Sequence, residues 1–130
     1  MGYTNSGEPI VLTLPANREL MLVIRLTAAG VIARAGATVD RMDEIKMAVE
    51  EACGCLLDQV YPPRRIALSF SSQDGGLLVR AEALDAEAET GDADDDALEI
   101  MTCILSSLAE DVRFEIRNGF IAAVSLRAAL

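Results

Sequence analysis

The chain has no histidine. That absence removes the commonest general base, the Ser-His and Cys-His nucleophile pairs and the usual nitrogen ligand of zinc. Cysteine is scarce too: Cys53, Cys55 and Cys103 are an odd number that builds no secreted disulfide framework. Cys53-x-Cys55 lacks further Cys or His partners at zinc spacing, and the neighbouring Glu51 and Asp58 raise a thiol pKa instead of activating it. Positive charge is short, with 11 basic residues against 21 acidic ones and a net charge of −10. Such a surface repels a phosphate backbone, which argues against nucleic-acid binding and favours basic protein partners. The longest apolar run, "LMLVIRLTAAGVIARAG", is broken by Arg25 and Arg34, so no membrane span is expected. No signal-type pattern opens the chain, and the expected location is cytoplasmic.

What is present is globular. The 130 residues are 52% apolar and 25% charged, a composition that buries a core and fits one domain over residues 1–130. "EPIVLTL" alternates like a half-buried strand and stops at Pro15. From Glu19 to Ala35 the apolar positions Leu20, Ile24, Ala28 and Val31 share a helical face, with Gly36 placed to end it. A second helix is expected from an Asp40 N-cap to the Pro62-Pro63 stop, with a stripe of Met42, Ile45, Val49, Ala52, Cys53, Leu56 and Val60.

"RIALSFS" and "LLVRAEAL" read as a hairpin around "SQDGG". Residues 82–99 then carry nine acidic side chains and no basic one, which predicts a loosely ordered loop over about 85–96. That run lacks the spacing, glycine and closing glutamate of a calcium loop. Asp94 to Asp96 cap a third helix with Leu98, Met101, Ile104, Leu105 and Leu108 inward, and Asn118-Gly119 joins two final strands. The order β-α-α-β-β-α-β-β predicts an α+β two-layer sandwich, a mixed, mostly antiparallel sheet covered on one face by helices.

This order, together with "VDRMDEIKMAVEEACGCLLDQVY", resembles the anti-sigma-factor serine kinases of bacteria, members of the GHKL (histidine-kinase-like) ATPase superfamily with the Bergerat fold. "LVIRLTAAGVIARAG" resembles the family's first helix, and "LAEDVRFEIRNGFIAAVSL" its closing helix and hairpin. By that resemblance Glu51 matches the catalytic acid, and Cys55 replaces the asparagine that holds Mg²⁺. A thiol is a poor ligand for that hard ion. The family's Asp-x-Gly-x-Gly falls on "AEALD", where Ala81 cannot accept from an adenine amino group and Ala83 and Asp85 replace the glycines. Its Gly-x-Gly falls on Glu99 and Met101, which block the approach to phosphate, and the acidic run takes the place of its ATP lid.

The resemblance with these departures implies a degenerate member: a regulatory protein-binding module, without ATP or Mg²⁺ as cofactor and without kinase activity. Its implied partners are a sigma factor or a STAS-type anti-anti-sigma protein, with Arg25 at the partner surface, and a homodimer is implied as well. Two alternatives stay open. One is an active serine kinase that retains Glu51 in a divergent nucleotide site. The other is a sensor whose emptied pocket, made apolar by Cys55, Ala81, Ala83 and Met101, takes another small ligand.

Overall fold

Five strands hydrogen-bond in the order β1-β2-β3-β5-β4, every neighbouring pair antiparallel. They are β1 (Ile10–Pro15), β2 (Arg65–Gln73), β3 (Gly76–Leu84), β4 (Glu110–Arg117) and β5 (Phe120–Ala129). The helices are α1 (Met21–Arg34), α2 (Val39–Leu57) and α3 (Asp95–Ser106). The computed structural model describes residues 8–59, 61–85 and 94–130. Most of the expected acidic loop, residues 86–93, and Val60 of the expected α2 stripe lie outside the described residues.

The period-2 patterns explain the two faces of the sheet. Ile66, Leu68 and Phe70 of β2, Leu77, Val79 and Ala81 of β3, and Val124, Leu126 and Ala128 of β5 point into one core with the helices. The opposite face carries Ser69, Ser71, Arg80, Glu82 and Ser125, none of them buried. There Arg80 reaches over β5 to Glu115 of β4, Nη2 to Oε2 3.0 Å, a crossing that the small Ala123 and Ser125 beneath it permit.

Both tight turns are of the mirror-image kind that a twisted hairpin requires. Asp74 and Gly75 (φ 47° and 75°) link β2 to β3, and Asn118 and Gly119 (φ 51° and 79°) link β4 to β5. Helix α1 ends as expected at Gly36, φ 87°, in a Schellman arrangement: Ala37 N–H donates to Ile32 C=O and Gly36 N–H to Ala33 C=O.

Three local expectations are corrected. The N-cap of α2 is Thr38, whose hydroxyl accepts from Arg41 N at 3.2 Å, and Asp40 sits in the first turn. Only two residues separate Gly36 from the new helix, and Thr38, extended at ψ 162°, is the one with the cap geometry. Helix α2 stops at Leu57, short of the prolines, where Gln59 is drawn to β5. On α3, Ile104 is 42% exposed and only Leu105 is buried, because an apolar stripe states which face is oily and not whether another element covers it.

Candidate functional site

One cavity of about 360 Å³ opens between α2, α3 and the turn into β5. Helix α2 presents Glu51, Gly54, Cys55 and Asp58, one flank of the helix read at intervals of three and four. Gln59 and Tyr61 follow on the segment leaving the helix. The N-terminal half of α3 gives Asp94, Ala97, Leu98 and Met101, and the β4–β5 turn closes the wall with Gly119, Phe120 and Ile121.

Gln59 fixes that wall. Its Oε1 accepts from Ile121 N at 2.7 Å, and its Nε2 donates to Ile121 O at 3.1 Å. The β3–β5 ladder has ended at Glu82 and Ala123, so this side chain satisfies the backbone of β5 where the ladder no longer does. Asp94 caps α3 by accepting from Asp96 N at 3.0 Å, which sets the opposite lip.

The structure brings together some of the residues expected at the site and separates others. Glu51, Cys55 and Met101 line the cavity. Glu51 is exposed at the rim, whereas Cys55 is buried in the wall. Burial pushes the Cys55 thiol up to about 12, with Glu51 and then Asp58 adding to the effect; Cys53 is held at about 12 chiefly by burial as well. Neither thiol is an activated nucleophile.

Ala81 is not among the cavity-lining residues and lies in the core between Leu68 and Val124 in register. Ala83, opposite Ile66, packs half-buried against the same core. Asp85 follows β3 with φ 55° and pairs with Arg65, Nε to Oδ2 2.6 Å, which lowers the carboxyl below its ordinary range. Glu99 is exposed on α3 outside the cavity lining. Arg25 lies on α1, ion-paired with Glu50 of α2 and also outside the lining.

Asp58, Gln59, Tyr61, Phe120 and Ile121 join the lining although no motif in the sequence marks them. Their convergence depends on a contact across 62 positions, Gln59 to Ile121, that no local periodicity encodes.

The chemistry of the lining is mixed. Cys55, Leu98, Met101, Phe120 and Ile121 make it apolar, three carboxylates (Glu51, Asp58 and Asp94) add negative charge, and no Lys or Arg is among the described lining residues. Asp58 is ion-paired with Arg18. Among the described residues no group of three or more His, Cys, Asp or Glu could hold a metal ion. This donor set does not fit a magnesium triphosphate: the α2 position one turn after Glu51 offers a protonated thiol in place of an oxygen ligand, and no Lys or Arg among the described lining residues offsets the phosphates.

No protein-family model matches the chain. It is 44% identical over 54 residues to the serine-protein kinase RsbW of Halalkalibacterium halodurans, a match covering 42% of this chain and 33% of that protein. It is 39% identical over 57 residues to RsbW of Bacillus subtilis, covering 44% and 36%. A third match, to RsbW of Bacillus thuringiensis, is 39% identical over 74 residues and covers 55% and 46%. The matched segments therefore span a third to just under half of those relatives. Among solved structures, a Mycobacterium tuberculosis chain with RsbU and RsbW domains superposes with a TM-score of 0.72. That match covers 95% of this chain and 33% of that one at 15% identity, a likeness of fold. The resemblance drawn from the second helix and the element order holds: over part of its length the chain is similar to the serine-protein kinases named RsbW, and it has the α+β fold expected from that resemblance.

Proposed function

We propose that the chain is a regulatory protein-binding module of anti-sigma type that has given up ATP and kinase chemistry. The lining of the cavity carries this reading. Glu51 remains in place, but the groups that would hold Mg²⁺ and phosphate beside it are a buried thiol, a thioether and carboxylates. Regulation then works by sequestration of a sigma factor or an anti-anti-sigma protein, and control passes to partner competition or protein level. The retained Glu51 at the rim favours one rival, a kinase with a rearranged nucleotide site.

Calorimetric titration with Mg-ATP decides between them. Silence is the expected result, together with no phosphate transfer to a serine-bearing partner; micromolar binding would sink the proposal. Cys55→Asn alone restores no binding if the site failed as a whole.

Two surfaces support protein recognition. On α1, Leu22, Val23 and Leu26 are exposed beside the Arg25–Glu50 pair, and the edge strand β1 leaves Ile10 and Val11 exposed. An oily helix face and a sheet-edge strand are each suited to a protein partner. A homodimer through this face, with Arg25 at its margin, belongs to the same proposal.

A further inference from the structure

The cavity has a property that sequestration of a protein does not use, which is the opposition between its wall and its rim. Leu98, Met101 and Phe120 give it an apolar wall, and Glu51 and Asp94 give it carboxylates that form no salt bridge among the described residues. Among the described residues Asp58 is the lining acid in a salt bridge, with Arg18, whose charge is also felt by Glu51; Arg18 is not itself in the lining. We propose that this cavity binds a small organic cation with an apolar body, the ammonium held by the Glu51 and Asp94 carboxylates and the body seated against Met101, Leu98 and Phe120.

The other ligand classes fit less well. An anion meets carboxylates at the rim, and the positive end of α3, which attracts anions in other folds, already carries Asp94, Asp95 and Asp96. A metal ion finds no ligand cluster among the described residues. A neutral apolar molecule gains the wall and leaves the carboxylates unused, whereas an ammonium gains both, and the rings of Tyr61 and Phe120 add attraction for a cation. The volume sits at the small end of the range for ligand pockets, about 300–1,000 Å³, which suits an arylalkylamine better than a nucleotide.

The proposal stands apart from the loss of kinase activity, which the Mg-ATP titration tests separately. The probes are phenethylamine, its neutral counterpart 2-phenylethanol and the anionic 3-phenylpropionate. Binding to the full chain is followed by calorimetry and by methyl NMR of Met101, Leu98 and Ile121. Phenethylamine should bind at least tenfold more tightly than either counterpart, shift those three methyl groups, and weaken as salt is raised. Glu51→Gln combined with Asp94→Asn should lower its affinity at least fivefold. Asparagine keeps the helix cap, so that variant holds its fold. Met101→Trp, which fills the cavity, should abolish binding. Equal affinity for the alcohol, shifts that map elsewhere, an unaffected double variant, or no binding at all would each overturn the proposal.

Discussion

Past Glu82 the β3–β5 ladder ends, and the backbone of Ile121 turns to the amide of Gln59 on that side. An amide is the one side chain that offers a donor and an acceptor in this spacing, as a peptide group does. Replacing Gln59 with Ala strands both backbone groups, so stability should fall by about 1–3 kcal/mol in urea unfolding. Gln59→Glu, which keeps the acceptor and loses the donor, should fall in the same direction; an unchanged midpoint for both would remove the proposed role. The cysteines differ as sharply. Cys103 is exposed, while Cys53 and Cys55 are buried with thiols near 12. Brief alkylation at pH 8 followed by mass spectrometry should mark Cys103 alone until denaturant is added. Such contrasts were only half legible in the sequence. The second-helix stripe places Cys53 inward, but the burial of Cys55 requires the α3 and β5 residues across the cavity, which lie far along the chain.

Elements were legible where their cause is local. Asn118-Gly119 announces its hairpin because both residues tolerate positive φ, and the structure places both there. Gly119→Ala keeps the turn but puts a Cβ at φ 79°, and should cost about 1–2 kcal/mol by chemical denaturation. Helix ends were less legible, because Thr38 and Asp40 are both good caps and the choice falls to the geometry inherited from α1. The apolar outer face of α1 is left exposed by the described residues. If it pairs two copies, Leu26→Asp, at a position 65% exposed here, should leave the melting temperature of the isolated subunit nearly unchanged. The same change should shift sedimentation from dimer to monomer. An unaltered monomer in both proteins would remove the dimer from the proposal.

At the scale of the whole molecule, the fold was legible because three helices with apolar faces and five strands in this order leave few economical packings. The sheet is antiparallel throughout, simpler than the mixed sheet expected. The candidate site was partly legible: Glu51, Cys55 and Met101 meet at one cavity, but Ala81 and Ala83 belong to the core and Asp85 to a surface ion pair. A motif alignment assigns positions, whereas three-dimensional packing decides which of them reach the cavity. Stability should follow the two buried thiols at high pH. Their pKa is higher folded than unfolded, so the folded chain binds more protons above about pH 9, and stability declines as pH rises from there towards 12. The slope is at most about 1.4 kcal/mol per pH unit for each thiol. Replacing both Cys53 and Cys55 with Ala should flatten that alkaline limb in pH-dependent denaturant midpoints, and a limb of unchanged steepness would assign it to other groups.

The strand order also bears on how the chain reaches this structure. The β2–β3 and β4–β5 hairpins close across two-residue turns, but the β3–β5 seam that joins them must bring together segments separated by the acidic stretch and all of α3. Closing so long a loop costs entropy before any contact rewards it. The two hairpins are therefore expected to form before this seam and before the β1–β2 pairing, which closes across α1 and α2. Near one end of that seam lies the Gln59 clasp on Ile121, which makes the lining of the cavity one of the last parts of the molecule to become ordered.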